Sequence, residues 1–299
     1  MSDGDRRFVD LHAHSTASDG STPAAEVVDR AERDRLYAVA LTDHDTTAGL
    51  AEAAEAARPL EVRFVPGVEV SARRPSLGGR GGHGSVHVVG LGIDADSPEL
   101  ADLLKRLRDA RAQRNPRMIR RLRDLGFDVT TEELRDVAGA EAGEVLGRLH
   151  MAELLRRKGY VRDKDEAFAR YLREGRPAYV DKERIEPAEA IAAVRAAGGV
   201  AVLAHPGLLG AENDAQLERY VVGLAEAGLE AVEVYHSEHS PEQTRRYLDM
   251  ARRLGLLVSG GSDYHGTGKP GVHLGRPPVP RVAPRRAMWS NCGRDVPPA

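Results

Sequence analysis

Seven short apolar runs punctuate the chain, several of them closing on a polar cluster: Phe8–His14, Ala38–Asp43, Val62–Val70, Val86–Ile93, Val200–Ala204, Ala231–Tyr235 and Leu256–Gly260. Runs of this length bounded by polar or turn residues predict buried strands. Ala-rich stretches with helical spacing lie between many of them, at Pro23–Arg35, Thr47–Ala57, Pro187–Ala197, Gln216–Ala227 and Pro241–Leu254. Pro23, Pro187 and Pro241 suit first helical turns, where a missing N–H costs nothing. Alternating strand and helix predicts a parallel α/β architecture, and seven strands suit a barrel. Residues 99 to about 175 break the rhythm. Leu100, Leu103, Leu104 and Leu107 have helical spacing, as do Met151, Leu154 and Leu155, and no strand pattern intervenes. The expected plan is therefore a barrel in two parts, residues 1–98 and 181–276, with an all-helical insertion at 99–180 that covers the substrate. Residues 277–299 are expected to form an irregular Pro/Arg-rich tail. The loop Pro75–Ser85, with five glycines between Gly78 and Gly84, has no strand-to-helix context for a phosphate loop and is expected to be a mobile hairpin tip.

Composition narrows the class. A chain of 299 residues buries enough surface to fold without a disulfide. With Cys292 as its one cysteine, it has neither a disulfide framework nor a cysteine zinc finger. Neither a leader's apolar core nor the ~18 apolar residues of a membrane span occurs, so a soluble cytoplasmic protein is expected. The net charge of −3 is unevenly spread. Residues 100–180 hold 19 Lys or Arg against 14 Asp or Glu, a net of +5, which leaves −8 for the rest. A basic block in an acidic host fits a small anionic ligand or a solvated Arg-rich helix surface equally well. Double-stranded DNA is not an expected partner, since the whole chain is acidic and carries no DNA-reading motif.

The polar ends of the strands carry the chemistry. The first closes on Asp10-Leu11-His12-Ala13-His14, and side chains two apart on a strand share a face. Asp19 follows. The second run ends in Thr42-Asp43-His44-Asp45 and the third includes Pro66-Gly67-Val68-Glu69. The fourth holds His87, the fifth leads into Ala204-His205-Pro206, the sixth into Tyr235-His236 and the seventh into Ser262-Asp263-Tyr264-His265. In a parallel barrel the carboxyl ends of the strands share one rim. A satisfied core histidine accounts for any single one of these residues, though not for the set. Imidazole with carboxylate and no thiolate suits Mn, Zn or Fe. Six histidines (His12, His14, His44, His87, His205, His265) and three carboxylates (Asp19, Glu69, Asp263) suffice for two or three divalent ions. Closely spaced ions favour in-line displacement at phosphorus.

These motifs, in this order over residues 8–95 and 185–275, resemble the PHP (polymerase and histidinol phosphatase) domain phosphoesterases. The resemblance implies a distorted seven-stranded β/α barrel and hydrolysis of a phosphoester by a metal-bound hydroxide. It implies one ion held by His12, His14, Glu69 and Asp263, a second by Glu69, His87 and His205, and a third by Asp19, His44 and His265. Manganese is the first choice. His87 is preferred to His83 because it lies within a strand pattern. A helical insertion after the fourth strand is similar to the subgroup acting on AMP, 3′,5′-nucleoside bisphosphates or short 5′-phosphorylated RNA. That subgroup carries a Gly-Arg-Pro-His-like motif contacting substrate, read here as Gly147-Arg148-Leu149-His150 with leucine in place of proline. Arg148 and His150 are thus expected substrate contacts. Arg111 and Arg114 match the subgroup's basic helix, although a solvated helix face explains them as well. His236 ends a strand on the reactive rim, as a phosphate ligand, a leaving-group acid beside the catalytic Glu69 and Asp263, or a hydrogen-bond partner of a ligand carboxylate. Asp43 and Asp45 are expected to support the ligands or cap a helix. Histidinol phosphatase, an amidohydrolase and a non-catalytic metal-binding PHP module are the competing readings. The basic insertion weighs against the first, the extra Asp and His ligands against the second, and the complete ligand set against the third.

Overall fold

Alternation along the strands sorts side chains between the two sides of one curved sheet. The computed structural model describes residues 8–78, 85–139 and 146–280. Its strands are β1 (Phe8–Asp10), β2 (Ala38–Leu41), β3 (Arg63–Arg73), β4 (Ser85–Leu91), β5 (Val200–Leu203), β6 (Ala231–His236), β7 (Leu257–Gly261) and β8 (Val279–Pro280). Val9, Ala38, Ala40, Val65, Val89, Leu91, Val200, Val202 and Ala231 point to one side and form a cluster inside the curve. Their neighbours Val39, Leu41, Val68, Val88, Ala201, Leu203 and Val232 join a larger cluster with the surrounding helices. This is the period of two expected of a sheet buried on both faces.

The strand order is β7-β6-β5-β4-β3-β2-β1-β8. The two ends of the order meet: the Leu11 N–H donates to the Gly260 carbonyl at 3.1 Å, and Ala13 bridges Tyr264. A Cβ on Gly261 would lie 2.4 Å from both the N and the Cβ of His12, so only glycine lets β7 approach the β1 segment this closely. The sheet is thus a nearly closed barrel, as expected, with two differences in detail. Among the described residues there are eight strands rather than seven, because Val279–Pro280, placed in the irregular tail from sequence, pairs antiparallel with β1. The rest of that tail, residues 281–299, lies outside the described residues. The barrel is also not all parallel, since β4 runs antiparallel to β3 and β5. No helix occurs among the described residues between β3 and β4, and a parallel pair requires a crossover. The joining loop lies within Pro75–Ser85, of which residues 79–84 fall outside the described set.

The helices are α1 (Ala24–Arg33), α2 (Leu50–Ala57), α3 (Pro98–Asp124), α4 (Thr131–Ala138), α5 (Arg148–Arg157), α6 (Lys164–Ala167), α7 (Pro187–Ala196), α8 (Asp214–Glu226) and α9 (Pro241–Leu254), with a π-turn at Phe168–Leu172. Pro187 and Pro241 open their helices, whereas Pro23 occupies the N-cap of α1, one residue earlier than expected. No strand occurs among the described residues from Pro98 to Leu172. Leu100, Leu103, Leu104 and Leu107 of α3 belong to the main core. Met118, Ile119 and Leu122 of the same helix instead pack with Leu134, Met151, Leu155 and Leu172 in a separate cluster. No helix among the described residues is long and apolar enough to cross a membrane.

Candidate metal centre

The inversion of β4 does not move His87 off the rim. β4 begins where its neighbours end, and His87, the third residue of β4, pairs with Ser71 near the end of β3. His12, His14, His44, His205, Asp263 and His265 all lie just past strand ends, and Glu69 lies inside the long β3. Glu69 is the hub. Its Oε2 is 3.3, 3.2 and 3.0 Å from nitrogens of His12, His14 and His44. Its Oε1 is 2.7 Å from His87 and 3.0 Å from His205. Asp263 Oδ1 lies 3.6 Å from His12, 3.3 Å from His14 and 3.4 Å from His265. Asp19 completes the far side, 3.2 Å from His265, 3.7 Å from His44 and 3.8 Å from His14. All nine residues expected as ligands are thus brought together.

These contacts are close without being satisfied. Buried His12 Nε2, both nitrogens of His14, His44 Nδ1, His205 Nδ1 and Glu69 Oε2 have no hydrogen-bond partner, an arrangement disfavoured unless something else answers them. Among the described residues, four groups have donor atoms within 4.8 Å of one another: His14, Asp19, His44 and His265; His12, Glu69 and His205; His12, His14 and Asp263; and His44, Glu69 and His87. Burial alone would raise the Glu69 carboxyl, yet His44, His87 and His12 hold it well below the usual range. Burial likewise opposes charge on His14, but Asp263 and Glu69 carry its imidazole to about 10. Such carboxylates demand positive charge, and the oxygen and imidazole donors suit divalent ions. The residues fit the cofactor expected of them.

Surrounding side chains aim the ligands. Glu233, which the sequence reading overlooked, is 2% exposed. Its Oε1 lies 3.0 Å from His12 Nδ1, and its Oε2 accepts from the His205 N–H at 2.7 Å. His12 therefore donates from Nδ1 and turns Nε2 to the centre. His265 does the same, with Nδ1 donating to the Asp263 carbonyl at 2.9 Å. Buried Asp10 accepts from the N–H groups of His12, Ser262 and Gly275. Asp43 accepts from Ser15 and Ser18, tying down the loop that leads to Asp19. Neither Asp43 nor Asp45 caps α2, whose N-cap is Gly49. Three rim residues adopt left-handed backbone, Asp45 at φ 54°, His205 at 29° and Asp263 at 56°. Non-glycine residues hold such angles only where the surroundings enforce them. Here N–H bonds to the Glu69 carbonyl, Glu233 and the His12 carbonyl do so.

His236 is 1% exposed, with Nδ1 accepting from the Glu238 N–H at 3.1 Å and Nε2 3.3 Å from Asp263 Oδ2. Both nitrogens are engaged within the protein, an arrangement suited to steering Asp263. Lys269, also overlooked from sequence, pairs with Asp263 and reaches Glu238 at 3.4 Å.

On the insertion side, Arg111 and Arg114 are not on a solvated face. Arg111 pairs with the fully buried Asp45 and donates to Ser71 Oγ at 3.1 Å. Arg114 is buried beside it, and Arg148 lies over the Phe168 and Tyr179 rings. His150 Nδ1 accepts from the Gly147 N–H at 3.1 Å. Burial lowers its pKa, and it lies in the field of Asp19 and His44.

Known proteins place this geometry. The chain is 37% identical to a 3′,5′-nucleoside bisphosphate phosphatase of Chromobacterium violaceum, over 91% of its own length and 94% of that protein's. It is 33% identical to the 5′-3′ exoribonuclease Rnm of Escherichia coli, over 92% and 91%. Among solved structures, one from Chromobacterium violaceum named an amidohydrolase, with bound sulfate and no metal, superimposes with a TM-score of 0.82 at 36% identity, covering 92% of this chain and 93% of that one. A Bifidobacterium adolescentis protein, provisionally named a metal-dependent phosphoesterase, gives 0.81 at 32% identity with the same coverage. Residues 10–173, more than half of the chain, match the PHP domain. A barrel rim of histidines gathered on one glutamate, in a chain so similar to metal-dependent phosphoesterases along nearly its whole length, belongs to an enzyme of the PHP domain family.

Proposed function

We propose that this enzyme hydrolyses phosphate esters of small nucleotides, a mononucleotide, a 3′,5′-nucleoside bisphosphate or a short 5′-phosphorylated oligonucleotide, using two or three divalent ions with manganese first. The observation that carries this reading is Glu69, whose two oxygens serve separate sets of histidines. In it, His12, His14, Glu69 and Asp263 hold one ion, Glu69, His87 and His205 a second, and Asp19, His44 and His265 a third. When bound, such ions lower the pKa of water and draw charge from phosphoryl oxygens. The chain's own residues do the rest. Glu233 and the Asp263 carbonyl fix the tautomers of His12 and His265, so that both present Nε2. His236 and Lys269 hold Asp263 Oδ2, which leaves Oδ1 towards His12 and His14. His150 of the insertion lies in the field of Asp19 and His44, and Arg148 in that of Arg111; in this reading the insertion encloses the substrate and excludes water. Charge held in place before reaction stabilises charge developing at phosphorus, without a covalent enzyme intermediate.

The test is a mass-spectrometric product assay on protein stripped of metal and refilled with manganese. It offers AMP, adenosine 3′,5′-bisphosphate, a short 5′-phosphorylated RNA and histidinol phosphate together. Chelator-sensitive release of phosphate or nucleotide from the nucleotide substrates is the expected result. Exclusive turnover of histidinol phosphate, or no turnover with metal bound, would overturn it.

A further inference from the structure

Asp263 has one cation more than its position in the barrel requires. Its Oδ1 faces His12, His14 and His265, and its Oδ2 faces His236 and Lys269. His236 Nδ1 accepts from the Glu238 N–H, so Nε2 bears the proton and donates to Oδ2 at 3.3 Å. That neutral donor already turns the carboxylate. Lys269 also lies in the field of Glu69, the hub of the centre. A fixed positive charge in that place opposes the binding of divalent ions. Holding Asp263 therefore does not account for a lysine.

The turn that carries Lys269 is braced from three sides. Gly266 is left-handed at φ 62°, and a Cβ there would lie 2.2 Å from Ser21 Oγ. That hydroxyl accepts from the Thr267 N–H at 2.8 Å, and the His265 carbonyl accepts from the N–H groups of Ser21 and Gly268, both at 3.1 Å. Lys164 of α6 donates to the Gly268 carbonyl at 3.5 Å. The lysine stem thus leaves from a fixed point. An ammonium has three donors. Asp263 takes one, and Glu238, 3.4 Å away with its side chain 47% exposed, is a loose second partner. The third has no partner among the described residues. The Lys269 side chain is 30% exposed, against 6% for Asp263, so it reaches out of the sealed centre. A phosphoryl group drawn to the Oδ1 side of Asp263 comes within reach of the spare donor, because both belong to the same carboxylate.

Resting on the phosphoesterase reading above, we propose that Lys269 is a catalytic residue whose spare N–H donates to a non-bridging oxygen of the reacting phosphoryl group. Its charge answers the negative charge that develops on that oxygen, from a position set before the reaction. It acts as a fixed charge and hydrogen-bond donor and keeps its proton throughout. The lysine thereby weakens the hold on metal in the resting enzyme and strengthens the hold on the anion once the substrate arrives.

The test compares wild type with Lys269→Gln and Lys269→Arg in three measurements. These are manganese affinity by equilibrium dialysis, calorimetric binding of inorganic phosphate to the manganese-loaded enzyme, and kcat/KM on the substrate that the product assay identifies. Lys269→Gln is expected to bind manganese as tightly as wild type or more tightly. It should nevertheless lose about 10- to 100-fold in both phosphate affinity and kcat/KM, the value of one charge-assisted hydrogen bond. Lys269→Arg should restore most of both. A merely structural lysine gives the opposite pattern, with manganese bound more weakly and phosphate binding and turnover regained at saturating manganese. That pattern overturns the proposal, and so does a phosphate affinity that Lys269→Gln leaves unchanged. If wild type with manganese bound hydrolyses no phosphoester, the phosphoesterase reading falls. A loss of phosphate affinity in Lys269→Gln would then still establish the contact between Lys269 and the anion.

Discussion

Replacing Arg111 by methionine measures how much of the seam between insertion and barrel rests on one ion pair. Asp45 is fully buried, and the Arg111 side chain is 12% exposed. Burial by itself would raise the Asp45 carboxyl. Arg111, then Lys182 and the Ser71 N–H, overcome this and bring it from 3.8 to about 2. At about 1.4 kcal/mol for each tenfold change in proton affinity, the carboxylate gains roughly 2 kcal/mol from its surroundings at neutral pH. Arg111→Met removes most of that and strands a buried anion, which costs about 3–5 kcal/mol. At about 2–4 °C per kcal/mol for a chain of this size, the melting temperature should fall by roughly 6–20 °C. Calorimetry on the single variants, Asp45→Asn and the double variant isolates the coupling, expected at about 2 kcal/mol or more. The sign with pH follows from the lowered carboxyl. Its stabilisation is complete above the unfolded value of 3.8 and is lost as pH falls through about 2. In Arg111→Met the stranded carboxylate takes up its proton at a higher pH, so the deficit relative to wild type narrows on acidification. A melting temperature within about 1 °C of wild type, or a deficit that widens on acidification, would refute this account.

Three further outcomes are expected. Glu233→Gln should fold normally yet bind manganese about 10- to 100-fold more weakly in equilibrium dialysis, because His12 loses the carboxylate that turns Nε2 inward; unchanged affinity would exclude that role. Gly261→Ala should displace His12 and lower both melting temperature and bound metal, since its Cβ would lie 2.4 Å from the His12 backbone nitrogen; full metal content would show that β7 can retreat. Lys182→Met should melt above wild type below about pH 7, where the buried ammonium is charged, and the gap should close as pH rises towards the unfolded value of 10.5. A gap independent of pH would place the effect elsewhere.

Most of the candidate ligands were legible in the sequence because they follow a strand end closely, whereas Glu69 and His87 lie within β3 and β4 and Asp19 on the loop after β1. Glu233 went unnoticed although its signal was present. It is a lone acid in the apolar run Ala231–His236, spaced by two from the inward-facing Ala231, and a charge buried on both sides needs a partner. The direction of β4 was legible too, in the short glycine-rich sequence without helical spacing between Val70 and Val86. Lys182 and Lys269 carried no such mark. Their environments come largely from segments far away in the chain, Arg111 and Arg114 for one and Glu238 for the other, which meets Asp263 six residues before it. The pairing of Val279–Pro280 with β1 was equally silent, since two residues show no periodicity. Arg111 and Arg114 lie on a helix whose overall polarity resembles a solvated face, and only tertiary packing shows them enclosed.

The 27-residue helix α3, about 40 Å long, has a mechanical consequence. Its first half is cemented into the barrel's core and its second into the insertion's, so the insertion has no hinge where it enters. The one weak point along the rod is Pro116, which cannot donate to the Ala112 carbonyl. The wall that carries Arg148 and His150 is therefore a buttress raised with the barrel, and the width of the mouth over the histidines is settled when the chain folds. Under the proposed function, a substrate meets that wall where α3 holds it.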